Sequence, residues 1–139
     1  MYTIILGGGL IGTGIAKWII EAGAEVTIIE MISGKVDLIN ASLGDVAICG
    51  DALRISDLER SGIVRADSFI ATTSRDDINL MACQIAKEKY GIETTISLVV
   101  NPGSDNFFKM LGVTTTLNIT NTIIEGIAST TAKLFVEEV

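Results

Sequence analysis

The feature that most constrains this chain is the run Gly7-Gly8-Gly9-Leu10-Ile11-Gly12, a G-x-G-x-x-G placed directly after a short apolar run, Tyr2 to Leu6. An apolar run rich in β-formers that stops at glycines predicts a buried strand and a tight turn. Beyond it, Ile11, Ile15, Trp18, Ile19 and Ala22 recur at helical spacing until Gly23, which is suited to the left-handed position after a helix. Each loop glycine then has a physical task. Gly7 permits the turn, Gly9 removes a side chain that would keep a pyrophosphate from the backbone, and Gly12 lets the helix approach the sheet. Gly8, Leu10 and Ile11 complete the stretch whose amides face a ligand at the helix N-terminus.

Val26 to Ile29 reads as a second strand ending at Glu30, about 20 residues past the loop, where a carboxylate accepts hydrogen bonds from ribose hydroxyls. The same charge repels a 2′-phosphate, and no arginine follows closely, so NAD or an adenine nucleotide is expected over NADP. Read without a ligand, the glycines only make a tight turn and Glu30 is an ordinary strand end.

The alternation continues. Ser33 is expected to cap a helix to about Ala41, Val46 to Cys49 is a third strand, and Ser56 to Arg60 a short helix closed near Gly62. Ser68 to Thr72 is strand four, Asp76 to Tyr90 a long helix, and Thr94 to Val100 strand five. Asn101 and Pro102 read as the cap and first turn of a helix ending at Gly112. Val113 to Leu117 is strand six, and Thr120 to about Glu137 a final helix. Strands alternating with helices across short connections imply an α/β, doubly wound Rossmann domain: a parallel six-stranded sheet of order 3-2-1-4-5-6 with helices on both faces. With 139 residues and no linker-like tract, residues 1–139 are expected to form one domain.

In such a sheet ligands sit outside the carboxyl ends of the strands near the switch between strands one and four. Thr72, Thr73 and Ser74 are placed there, although Thr73 or Ser74 followed by Asp76 and Asp77 also makes a good helix start. Asp51, after strand three, is placed either to reach an adenine edge or to cap the next helix, with capping the slightly better reading.

Ten basic against seventeen acidic residues give a net charge of -7, the wrong sign for a surface that neutralises nucleic-acid phosphates. The N-terminus has no basic lead-in, and glycines break its first uncharged stretch, so neither a signal peptide nor a membrane insertion is expected. Cys49 and Cys83 lack metal-ligand spacing and lie in apolar sequence, which predicts buried thiols in a reducing, cytoplasmic compartment and no metal site. There is no histidine and no lysine or tyrosine spacing that suggests a proton relay, so no catalytic residue is assigned. A mean hydropathy of +0.51 with 19% charged residues leaves apolar surface for another subunit. The final helix, with Ile123, Ile124, Ile127, Leu134 and Phe135, is the leading candidate for it.

Taken with the loop and Glu30, the runs Cys49-Gly50-Asp51-Ala52, Thr72-Thr73-Ser74-Arg75-Asp76-Asp77-Ile78-Asn79-Leu80 and Phe108-Lys109-Met110-Leu111-Gly112-Val113 resemble those of a TrkA-N (RCK N-terminal, KTN) domain over nearly the whole chain. The resemblance implies a cytoplasmic, nucleotide-sensing regulatory domain, not an enzyme. Such a domain binds NAD(H), ATP or ADP, pairs into dimers or rings, and controls a membrane potassium channel or transporter subunit from the inner face of the membrane. It also implies ligand contacts at Gly7 to Ile11, Glu30, Asp51 and Thr73-Ser74. The position after Gly9, often basic in that family, is Leu10, and an arginine common near the end of strand five appears as Leu98; both changes remove cationic partners for phosphates. The C-terminal companion domain of many relatives has no counterpart here, so a stand-alone regulator is expected. The rival reading is an NAD-dependent oxidoreductase subunit whose partner chain supplies the substrate site.

Overall fold

A computed structural model describes residues 1–137. Its strands are β1 (Tyr2–Leu6), β2 (Glu25–Glu30), β3 (Ala47–Cys49), β4 (Ser68–Ala71), β5 (Thr94–Val99) and β6 (Thr115–Asn118). The helices are α1 (Leu10–Glu21), α2 (Ser33–Leu43), α3 (Ile55–Arg60), α4 (Asp76–Tyr90), α5 (Asp105–Met110) and α6 (Ile119–Glu137). All strand pairs are parallel and the sheet order is β3-β2-β1-β4-β5-β6, the Rossmann order expected from the sequence. The chain reverses direction of travel across the sheet between β1 and β4, so the carboxyl ends of those strands open a crevice.

β1 is buried along its whole length because helices cover both of its faces, as the unbroken apolar run predicts. On one face Tyr2, Ile4, Leu6, Ile29, Phe69, Ala71 and Val99 pack against Ala82, Cys83 and Ala86 of α4, with Leu58 and Phe108 closing the layer. On the other, Ile5, Val26 and Ile28 meet Ala16 and Ile19 of α1 and Val36 and Ile39 of α2. The buried face of α1 is Gly12, Ala16 and Ile19; Trp18 of the expected apolar stripe points outward at 68% exposure.

The helix at α6 covers little of this second face. Ile123, Ile124, Ile127, Leu134 and Phe135 are 56–70% exposed, while Leu117 on β6 is 54% exposed and Ile70 and Ile96 are only half-buried.

Several local expectations are corrected. Asn101 and Pro102 do not start a helix: the Asn101 side chain accepts the Gly103 N–H at 3.0 Å in a turn, and α5 begins at Asp105 behind Ser104. Ser33 is the first residue of α2 rather than its cap, which is Ile32. Strand six lies later than expected, at Thr115–Asn118. Cys83 is buried, but Cys49 is exposed, because it ends a three-residue edge strand that pairs with β2 alone.

Candidate nucleotide site at the carboxyl ends of β1, β2 and β4

Fold geometry alone explains two of the loop glycines, Gly7 and Gly12. Gly7 has φ +103° and donates its N–H to the Ile29 carbonyl at 3.0 Å, which turns the chain out of β1; only glycine adopts that conformation without strain. A Cβ at Gly8 would lie 2.6 Å from the Ile39 side chain, and one at Gly12 would lie 2.0 Å from the Gly7 carbonyl oxygen. The Gly12 contact is with backbone and excludes any side chain, whereas the Gly8 contact is with the tip of the flexible Ile39 side chain.

Gly9 is different. Its φ of -78° and ψ of -168° suit any residue, it is exposed, and a Cβ there would meet nothing within 4 Å. Gly9 also stands at the N-cap of α1, where no side chain caps the helix, so the leading amides retain hydrogen-bonding capacity. The loop thus presents unobstructed backbone donors beside the positive end of the helix dipole.

Glu30 sits beneath this surface at 9% exposure. Its Oε1 accepts the Gly8 N–H at 3.1 Å and its Oε2 the Ile32 N–H at 2.9 Å. The carboxylate therefore ties the glycine loop to the β2–α2 turn, and each oxygen keeps a lone pair for a further donor such as a ribose hydroxyl.

The β4 end is more committed internally than the sequence suggests. The Thr72 hydroxyl donates to the Leu6 carbonyl at 2.8 Å and also lies 3.2 Å from the Gly7 carbonyl, so it braces the loop. Thr73 donates its hydroxyl to Asn79 Oδ1 at 2.6 Å and accepts the Arg75 N–H at 3.1 Å. These bonds brace the turn into α4, whose N-cap is Arg75. Ser74 is exposed and has an uncommitted rim position.

Asp51 does not cap α3, whose N-cap is Arg54; its Oδ1 accepts the Leu53 N–H at 2.9 Å and so closes a turn before the helix. The Asp51 N–H is held at 2.9 Å by Asp57, and Arg60 joins Asp57 to the Cys49 carbonyl at 3.0 and 2.6 Å. The Asp51 amide first, and the Arg60 guanidinium second, hold the Asp57 carboxyl below the usual carboxylate range. Leu10 is 94% exposed, whereas Leu98 is buried in β5 with its carbonyl taken by Asn79 at 3.1 Å.

Sequence reasoning missed Asn79. It is fully buried, its Oδ1 accepts from Thr73, and its Nδ2 donates to the Thr73 and Leu98 carbonyls. A polar residue on the buried face of an otherwise apolar helix pattern was the available signal.

A family model described as the TrkA-N domain matches residues 3–119. The chain is 36% identical over 113 residues to the Trk system potassium uptake protein TrkA homolog of Methanothermobacter thermautotrophicus, covering 81% of this chain and 52% of that protein. It is 38% identical over 109 residues to the homolog of the same description from Pyrococcus abyssi, covering 78% and 48%. The chain thus spans about half the length of the curated relatives it matches. Among solved structures, the TrkA-N domain of the inner membrane protein ybaL from Escherichia coli superposes with a TM-score of 0.83 at 15% identity, over 92% of this chain and 94% of that one. The GsuK channel bound to NAD gives 0.79 at 19%, over 95% and 24%. The Shewanella denitrificans Kef CTD in its AMP-bound form gives 0.80 at 18%, over 97% and 81%. At these identities the structures establish the shared fold.

Proposed function

The chain belongs to the TrkA-N domain family, and from that premise we propose that it is a cytoplasmic nucleotide-sensing domain that regulates a membrane potassium channel or transporter and catalyses no reaction. The observation that carries this reading is Gly9, a glycine that neither backbone conformation nor neighbouring atoms require. Its absence of a side chain is explained by a ligand that must come against the backbone. The pyrophosphate or phosphate of the nucleotide lies on Gly7 to Ile11 and the turn of Gly12. Ribose hydroxyls meet Glu30, the base lies towards Asp51, and Ser74 faces the rim with Thr72 and Thr73 bracing it.

NAD(H) is the first choice of ligand, with ADP or ATP next; one neighbour by fold carries NAD and another AMP. Leu10 and Leu98 supply no cation to the phosphates, so backbone amides carry the anion there and affinity is modest.

No helix among the described residues is long and apolar enough to cross a membrane; on this reading the pore belongs to a membrane subunit on which this domain acts. The exposed apolar face of α6 and the thinly covered face at Ile70, Ile96 and Leu117 are the surfaces through which the domain pairs with a second copy. A thermal-shift series with NAD, NADH, ATP, ADP and AMP tests the nucleotide reading. A bound nucleotide at about a hundredfold above its Kd stabilises the fold by about 2.7 kcal/mol, and an unmoved melting temperature with all five would refute it.

A further inference from the structure

Clusters of side-chain hydrogen bonds, joined by short stretches of backbone, run from the glycine loop across the strand ends to the first turn of α6. They begin where the Thr72 hydroxyl holds the Leu6 and Gly7 carbonyls. The next residue, Thr73, is gripped by Asn79, which reaches on to the Leu98 carbonyl. One turn earlier on α4, the Asp76 carboxylate accepts the N–H groups of Val100 at 2.8 Å and Asn101 at 2.9 Å. The Asn101 carbonyl accepts the Asn118 Nδ2 at 2.9 Å, and the Asn118 Oδ1 accepts the Asn121 N–H at 2.9 Å, which makes Asn118 the N-terminal cap of α6. Thr120 and Asn121 add donations to the Val100 carbonyl at 2.6 Å and the Pro102 carbonyl at 3.1 Å.

We propose that this polar seam sets the direction of α6 according to the state of the glycine loop, with Asp76 and Asn118 as its positioning residues; the inference rests on the nucleotide-binding reading above. Two features make the seam suited to the task. Val100 to Gly103 are all exposed, so the loop between β5 and α5 is located by these directional bonds and not by packing. Beyond Asn121, the described side chains of α6 are exposed except for a half-buried Thr131, so the helix takes its direction from its first turn.

At 19 residues α6 is about 28 Å long, and a tilt of about 5° at its base moves the far end by about 2–3 Å. Such a displacement matters because α6 carries the apolar face offered to a neighbour. A nucleotide shifts α6 only by preferring one setting of the loop, and the seam is the physical connection between that setting and the helix.

Hydrogen–deuterium exchange on the full chain, with and without saturating ADP and in parallel NAD, tests this. In the wild type a bound nucleotide changes exchange of the loop amides and, by about twofold or more, of the amides at 100–104 and 119–122. Asp76→Ala binds the nucleotide within about twofold of wild type and keeps the change at the loop, but loses it at 119–122. Asn118→Ser, which retains a capping hydroxyl while losing the amide donor to Asn101, behaves the same way and serves if Asp76→Ala does not fold. A wild type that binds without any change at 119–122 overturns the proposal, as does full retention of that change in either folded variant. A wild type that binds neither nucleotide overturns the underlying reading, and is seen directly as the absence of change at the loop.

Discussion

The carbonyl oxygen of Gly7 lies where a side chain on Gly12 would have to begin: a Cβ there would be 2.0 Å from it and 2.9 Å from the Thr72 hydroxyl. The first turn of α1 is thereby pressed against the end of β1. The obstacle is backbone, so it cannot rotate away. Gly12→Ala is expected to destabilise the fold by about 3 kcal/mol or more, at the upper end of the cost of overpacking. A thermal or urea melt checks it, and a change below 1 kcal/mol would contradict the close approach.

Glu30 joins loop to turn through the Gly8 and Ile32 N–H groups, so its removal has two separable effects. Glu30→Ala leaves these partly buried donors unpaired and is expected to cost about 1–3 kcal/mol of stability. In the wild type NADP is expected to bind at least about tenfold more weakly than NAD, equivalent to about 1.4 kcal/mol, and the substitution narrows the gap. Calorimetry with both cofactors decides; equal wild-type affinities would remove Glu30 from the ribose position.

The two cysteines should behave oppositely. Burial pushes the Cys83 thiol up to about 12, whereas Cys49 is exposed at the end of β3 beside Glu30. In the native protein an alkylating reagent at pH 8 is expected to modify Cys49 and spare Cys83, with nucleotide slowing the reaction at Cys49. Because the folded value of Cys83 lies above its ordinary value of 9.0, the folded state retains a proton that the unfolded chain loses. Its contribution to stability is present below about pH 9 and is lost progressively towards about pH 12. Peptide mapping after labelling checks the first point; denaturant melts of wild type and Cys83→Ala compared across that range check the second.

The sheet order and the loop were legible in the sequence because both follow from local patterns: β-rich apolar runs, glycines at strand-to-helix turns, and the handedness of parallel crossovers. What escaped depended on distant partners. Asn101-Pro102 has the composition of a helix start, yet Asp76 on α4 holds the Val100 and Asn101 amides and keeps that segment as a loop. Thr73 suits a ligand or a cap equally by sequence, and no local pattern announces that its hydroxyl donates to Asn79, buried six residues on. Cys49 reads as buried from its neighbours in sequence, but it ends an edge strand that has a neighbouring strand on one side only.

Pairing of the domain is expected to depend on α6. Light scattering at micromolar concentration should give a mass of two copies or more, and Ile124→Glu and Phe135→Glu, at positions 58% and 70% exposed, should lower that mass without unfolding the protein. A strict monomer with and without nucleotide would refute self-association. An undiminished dimer in both folded variants would move the interface elsewhere.

The central claim is that the glycine loop holds a nucleotide, and Gly9→Val tests it most directly because a Cβ at that position meets no atom of the fold within 4 Å. Isothermal titration of wild type and variant with NAD and ADP, beside their thermal melts, is the measurement. The account predicts that wild type binds at least one of the two, and that the variant keeps its melting temperature within a few degrees while its affinity falls by about a hundredfold or more, about 2.7 kcal/mol. A folded variant that binds NAD or ADP as tightly as wild type would contradict it.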